Sequence, residues 1–152
     1  MTPDSILLTI AVLGGTGKEG KGLAYRWAKA GYRVIIGSRT NEKAKVAADD
    51  LNEMLGKEII EGLQNLNAAK KADILVLTVP YSAHEATLES IKDAAQGKIF
   101  VDVTVPLVPP KVTKVQMPEA GSAAQEAQEI LGENVSVVAA FQNISHEHLF
   151  DR

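Results

Sequence analysis

A doubly wound α/β fold, a parallel sheet of about six strands with helices on both faces, is predicted by three observations. Apolar runs alternate with amphipathic ones along nearly all of the 152 residues. Most of the apolar runs are almost unbroken in Val, Ile and Leu, as strands covered on both faces are. A glycine-rich turn joins the first apolar run to the first amphipathic one. Such alternation implies right-handed βαβ crossovers and parallel pairing, here in the order 3-2-1-4-5-6. The length suits one domain with a proper core, so residues 1–152 are read as a single unit.

The strands are expected at Ile6–Leu13, Tyr32–Ile36, Ile59–Leu63, Ile74–Val79, Ile99–Val103 and Val135–Ala140, each bounded by Gly, Pro, Asn or Asp. Ile59–Leu63 is the weakest and reads as an edge. Between them, Gly20–Ala30 places Leu23, Trp27 and Ala30 on one side of a helix. Asn41–Leu55 is Ala-rich, with Thr40 as N-cap and Gly56 just past its end. Ser82–Ala95 follows Pro80. Ala123–Leu131 starts from the capping box Ser122-Ala-Ala-Gln125 and stops at Gly132. The stretch "VPLVPPKVTKVQMPEAGS" reads as a loop, being too short for an interdomain linker.

Composition narrows the function classes. A net charge of -3 gives no basic field for nucleic acid or anionic lipid. The absence of cysteine excludes disulfides, thiolate catalysis and cysteine metal sites, and suits a cytoplasmic protein. The start, "MTPDSILLTIAVLGG", lacks the basic region of a signal peptide, and no apolar segment is long enough to span a bilayer.

Gly15-Thr16-Gly17-Lys18-Glu19-Gly20 matches G-x-G-x-x-G between a strand and a helix, the context that turns a common pattern into a dinucleotide-binding signal and a Rossmann-type fold. Gly15 is expected to permit the tight turn, Gly17 to let the backbone approach a pyrophosphate, and Gly20, with Gly22, to let the helix pack on the sheet. The helix N-terminus adds free N–H groups and a positive dipole end. At the end of the second strand, where NAD-binding chains carry a carboxylate for the ribose 2′-OH, this chain has Gly37-Ser38-Arg39-Thr40. Ser38 can donate to a 2′-phosphate, Arg39 can pair with it in a bidentate fashion, and Lys43 lies one turn into the next helix. The expected cofactor is therefore NADP(H).

Three strand ends remain for the nicotinamide half: Thr78-Val79-Pro80-Tyr81, Thr104-Val105-Pro106-Leu107-Val108, and Ala140-Phe141-Gln142-Asn143-Ile144-Ser145-His146. They hold few titratable groups. That suits hydride transfer between stacked rings better than acid–base chemistry, so no catalytic side chain is expected. His146-Glu147-His148 is too short a spacing for a metal pair and lacks further ligands, so no metal site is expected. His84 is read as a surface or ribose-adjacent residue, and Asp102 as the cap of a loop.

Together, "IAVLGGTGKEGKGLAYRWAKAGYRVIIGSRTNEKA", "ADILVLTVPYSA", "VDVTVPLVPP" and "GSAAQEAQEILGENVSVVAAFQNIS" resemble the NADPH-dependent reductases of coenzyme F-420 (also written F420), in order from about Leu7 to Ile144. The resemblance implies reversible hydride transfer between NADP(H) and the deazaflavin ring of coenzyme F-420, two small-molecule redox carriers, by a homodimer. It implies that Thr16, Gly17, Lys18 and Glu19 hold the pyrophosphate side and Ser38, Arg39 and Lys43 the 2′-phosphate. Thr78, Val79, Pro80, Ala83, Val108 and the Ser145-His146 turn would lie along the ribose and nicotinamide. Pro106, Leu107, Val108, Phe141, Gln142 and Asn143 would face the deazaflavin. Two departures bear on this. Some relatives carry His where this chain has Gln142, and family members usually continue past the position of Arg152 with a segment that helps cover the deazaflavin. The expectation is that this segment is absent or truncated here, the deazaflavin half being incomplete or completed by a second subunit. The alternatives weighed are an NADPH-dependent reductase of another acceptor, a flavin or an imine, and an NADP-binding module without catalysis.

Overall fold

The computed structural model describes residues 7–106 and 118–151. Six parallel strands, β1 (Thr9–Leu13), β2 (Arg33–Ser38), β3 (Ile60–Gln64), β4 (Ile74–Leu77), β5 (Ile99–Asp102) and β6 (Ser136–Ala139), form one sheet in the order β3-β2-β1-β4-β5-β6. This is the doubly wound arrangement, and Ile60–Gln64 takes the edge foreseen for it. The helices are α1 (Lys18–Lys29), α2 (Asn41–Leu55), α3 (Asn65–Lys71), α4 (His84–Ala95), α5 (Ala123–Leu131) and α6 (His146–Leu149). A 3-10 turn, Tyr81–Ala83, precedes α4.

The sheet separates two cores. On one face Val12, Ile36 and Val76 pack against Leu23 and Ala28 of α1, Ala44 and Leu51 of α2, and Leu149 of α6. On the other Leu13, Leu75, Leu77 and Phe100 pack against Ala68 and Ala69 of α3, Leu88 and Ile91 of α4, and Leu131 of α5. Small residues on α2 and α3 let these helices lie close to the sheet, and the central strands are buried on both sides.

Local chemistry explains the helix ends. Thr40 Oγ1 accepts from the Lys43 N–H at 3.4 Å, and α2 ends at Gly56 in the left-handed region, φ 65°. Ser122 Oγ accepts from the Gln125 N–H at 3.1 Å at the start of α5. Three details differ from the sequence reading. The segment after Pro80 begins as a 3-10 turn and becomes α-helical only at His84. Ala30 is exposed, and the buried stripe of α1 is Gly20, Leu23, Ala24 and Ala28, with Trp27 half-buried beside it. Two short helices were not anticipated. One is α3, only seven residues. The other is α6, four residues, bound to α1 by Arg26, whose Nε donates to the Leu149 carbonyl at 2.6 Å and whose Nη2 donates to that of His148 at 3.0 Å. Among the described residues no helix is long and apolar enough to cross a membrane.

Candidate active site

The in-register row Leu13, Leu77, Asp102 and Ala139 marks the carboxyl ends of four adjacent strands. In open α/β sheets ligands lie in the crevice beyond this end, where the strand order reverses between β1 and β4. A cleft of about 600 Å³ opens there, lined by the glycine loop, the end of β2, the start of α2 and the segment after β4. Three cavities of larger or equal volume lie elsewhere, one along α2 and β3, one at the amino ends of the strands and one against α5, without the glycine loop in any of them. Location and chemistry favour the one at the glycine loop.

Each glycine of the loop does a different job. The turn's left-handed residue is Gly14, φ 67°, so Gly14 takes the conformational role expected of Gly15. Gly15 is buried, its N–H donates to the Gly37 carbonyl at 3.0 Å, and a Cβ on it would stand 2.7 Å from the Val12 carbonyl oxygen. Gly15 therefore supports the loop from beneath instead of lining the cleft. A Cβ on Gly20 would stand 2.7 Å from both Gly15 Cα and Thr78 Oγ1, so Gly20 sets the approach of α1 to the sheet. Gly22 packs on Leu149 of α6, not on a strand. A Cβ on Gly17 would meet nothing within 4 Å, which leaves its backbone open to an incoming group. No side chain caps α1 at Gly17, so the first-turn N–H groups suit an anion such as a pyrophosphate.

Thr16, Gly17, Lys18, Glu19, Ser38, Arg39, Lys43, Thr78, Val79, Pro80 and Ala83 all line this cleft. Ser38 is buried, while Arg39 and Lys43 are exposed. Burial pushes the Glu19 carboxyl above the usual carboxylate range, and His146 opposes the shift. His146 thus acts on the first turn of α1 from the start of α6, although it is not part of the cleft wall. Thr78 Oγ1 donates to the Leu13 carbonyl at 3.0 Å, tying β4 to β1 at the rim.

The expected deazaflavin-facing residues are more scattered. Phe141, at φ 65°, packs edge-on against Trp27 with ring centroids 5.9 Å apart. Gln142 Nε2 donates to the Asp102 carbonyl at 2.8 Å, and Asn143 is exposed. Pro106 is half-buried, and Leu107 and Val108 lie outside the described residues.

Three features escaped the sequence reading. Asn65, the first residue of α3, is buried on the cleft wall, and its Oδ1 accepts from the Gly14 N–H at 3.2 Å. Its place directly after a strand's carboxyl end was the available signal. His84, read as a surface or ribose-adjacent residue, is instead fully buried. It stands on the apolar stripe of α4 with Leu88, Ile91 and Ala95, a helical spacing visible in the sequence. Its Nε2 lies 2.7 Å from Asp102 Oδ2 and its Nδ1 2.9 Å from Glu126 Oε1, and Glu126 itself was not singled out. Asp102 does cap the following loop, Oδ1 accepting from the Thr104 N–H at 2.9 Å. The described residues contain no group of three or more His, Cys, Asp or Glu that could hold a metal ion.

Comparison with known proteins bears on the family and the fold. The family described as "NADP oxidoreductase coenzyme F420-dependent" matches residues 9–106. The F420-dependent NADP reductase of Methanocaldococcus jannaschii is 43% identical over 151 residues, covering 95% of this chain and 67% of that protein. The F420-dependent NADP reductase of Methanothermobacter thermautotrophicus is 45% identical over 153 residues, covering 96% of this chain and 66% of that protein. The chain thus spans about two thirds of the length of these relatives. Among solved structures, a proposed F420-dependent NADP-reductase from Arthrobacter sp. FB24 superposes with a TM-score of 0.76 at 23% identity, over 92% of this chain and 65% of the other. A pyrroline-5-carboxylate reductase from Coxiella burnetii gives 0.61 at 20%, over 88% and 43%. At these identities the structural matches speak for the fold alone.

Proposed function

The chain belongs to the family of coenzyme F-420-dependent NADP oxidoreductases, and from that premise we propose that it transfers a hydride reversibly between NADP(H) and the deazaflavin coenzyme F-420. One observation carries the reading: the open glycine loop, the Ser38–Arg39–Lys43 cluster and the uncharged segment after β4 line one continuous cleft. That order of surfaces matches a dinucleotide with a phosphate at one end and a planar ring at the other.

In this proposal Thr16, Gly17, Lys18 and Glu19 hold the pyrophosphate side, with Gly15 shaping the loop beneath. Ser38, Arg39 and Lys43 take the 2′-phosphate, where a carboxylate would repel it. Thr78, Val79, Pro80 and Ala83 lie along the ribose and nicotinamide, joined by Val108 and His146. Pro106, Leu107, Val108, Phe141, Gln142 and Asn143 face the deazaflavin. When bound, the two ring systems carry the hydride between themselves. The protein's part is to stack them and exclude water, so no side chain need exchange a proton with the reacting carbons. The proposal includes a cytoplasmic homodimer, and β6, one of the two edge strands among the described residues, with Val138 exposed, is the edge such an assembly would cover.

The test is NADPH-dependent bleaching of oxidised F-420 absorbance, run beside NADH. Bleaching with NADPH and far less with NADH is the expected result. NADPH binding without bleaching of F-420, but with turnover of a flavin or an imine, would replace the acceptor in this reading.

A further inference from the structure

Behind the β4 wall of the cleft lies a buried ionisable cluster that the hydride transfer does not use. His84 is fully buried at the start of α4, between Asp102, also fully buried at the end of β5, and Glu126 of α5. An ionised carboxylate oxygen only accepts hydrogen bonds, and a neutral imidazole has one N–H to give. Both ring nitrogens of His84 face carboxylate oxygens, at 2.7 Å and 2.9 Å. The second oxygen of each carboxylate is engaged as an acceptor too: Asp102 Oδ1 by the Thr104 N–H at 2.9 Å, Glu126 Oε2 by the Tyr81 hydroxyl at 3.0 Å. Fully engaged acceptors favour the ionised carboxylates, and these in turn require a ring protonated on both nitrogens.

We propose that His84, held as an imidazolium between Asp102 and Glu126, is a positioning residue for the nicotinamide end of the cleft. It pins the Tyr81–Ala83 turn and the start of α4 to β5 and α5, and so fixes the Val79–Ala83 wall relative to the glycine loop. The Tyr81 ring stacks on the imidazole at 5.7 Å, which ties the turn to the cluster. The inference rests on the cofactor-cleft reading and not on the identity of the acceptor.

The surroundings set the pH behaviour. Burial by itself would lower the His84 pKa, but the hydrogen bonds to Asp102 and Glu126 and their charges outweigh it and raise the value. Burial and Glu126, with Glu85 behind, push the Tyr81 phenol up as well, so it stays a donor. From α3 the buried neighbours are Ala68 and Ala69, while Lys70 and Lys71 are exposed. β4 contributes Leu75 and Leu77. A folded-state pKa raised above the unfolded value gives stability fully present below about pH 6.5, the unperturbed imidazole value. It is lost as pH rises through the raised folded value.

The experiment uses the full chain, with NADPH and with 2′,5′-ADP, which occupies only the adenosine half. His84→Asn is expected to weaken NADPH about tenfold and leave 2′,5′-ADP unchanged. The 15N signals lost in that variant should show both ring nitrogens of wild-type His84 protonated at pH 7. Glu126→Gln keeps the shape and should move the pH at which NADPH affinity falls to a lower value, which serves if His84→Asn does not fold. Equal losses for both ligands, unchanged NADPH affinity, or a singly protonated ring at pH 7 would each overturn the proposal. None of these readouts needs F-420, so failure to bleach F-420 would leave this test intact.

Discussion

At the β1–β2 end the cleft is lined by two short stretches of chain, the glycine loop with the open backbone of Gly17, and Ser38, Arg39 and Lys43 just after β2. At the β4–β5 end the wall is uncharged, Thr78, Val79, Pro80, Ser82, Ala83 and Thr87, and the charge lies behind it, in His84, Asp102 and Glu126. The first end carries its charge on the cleft surface, where the proposed 2′-phosphate would arrive. The second keeps its charge behind the wall, where the proposed role is to hold that wall still. The difference suits the proposed cofactor: a phosphate is recognised by donors at the surface, whereas a ring needs a dry, fixed, uncharged face.

The largest expected effect tests the split within the glycine loop itself. A Cβ on Gly20 would press on the Gly15 backbone and on Thr78, which bonds β1 and cannot easily yield. Gly20→Ala should cost about 2–3 kcal/mol of stability, as overpacking of a close contact does, and should cut NADPH affinity because the loop shifts with it. Gly17→Ala should leave stability unchanged, since its Cβ meets nothing, yet still weaken NADPH by obstructing the backbone. Denaturant midpoints beside NADPH titrations separate the two. Normal NADPH binding by Gly17→Ala would show that the loop backbone is not the cradle.

Next in size is the 2′-phosphate contact. Arg39→Ala should lose about 1.5–3 kcal/mol of NADPH affinity with little change for NADH, because the contact is charge-assisted and absent from NADH. Equal losses for both cofactors would mean that the Arg39 side chain acts on something the two cofactors share and not on the 2′-phosphate.

The same contrast explains which parts were legible in the sequence. The β1–β2 end is written in local code: a glycine spacing, a cap three residues before its partner, a missing carboxylate at the end of β2. The helix Asn41–Leu55 could be bounded to the residue because Thr40 and Gly56 act on their own neighbours. The β4–β5 end is written in pairs far apart along the chain. His84 finds Asp102 18 residues on and Glu126 42 residues on, and no local pattern names either partner. Asn65 reaches Gly14 across 51 positions. The helix it starts was missed because it is seven residues long, with no side chain capping it at Gln64. The role of Gly15 was misassigned for a smaller reason. The G-x-G-x-x-G pattern does not say which of two adjacent glycines carries the positive φ, and here it is Gly14.

The smallest effect probes where the local code itself weakens. Thr40 caps α2, but its bond to the Lys43 N–H is long, 3.4 Å, and the residue is exposed. An N-cap replaced by Ala typically costs about 0.5–2 kcal/mol; a long, solvent-exposed cap belongs at the lower limit, about 0.5 kcal/mol. The same substitution frees the first turn that carries Lys43, which lines the cleft at the proposed 2′-phosphate end. Thr40→Ala should therefore lower the denaturant midpoint slightly and loosen NADPH by less than the loss of Arg39 does, with 2′,5′-ADP weakened equally because only the adenosine half is touched. A cofactor loss confined to NADPH, sparing 2′,5′-ADP, would mean that the two ends of the cleft are coupled through α2 and that the division between them is less sharp than their chemistry indicates.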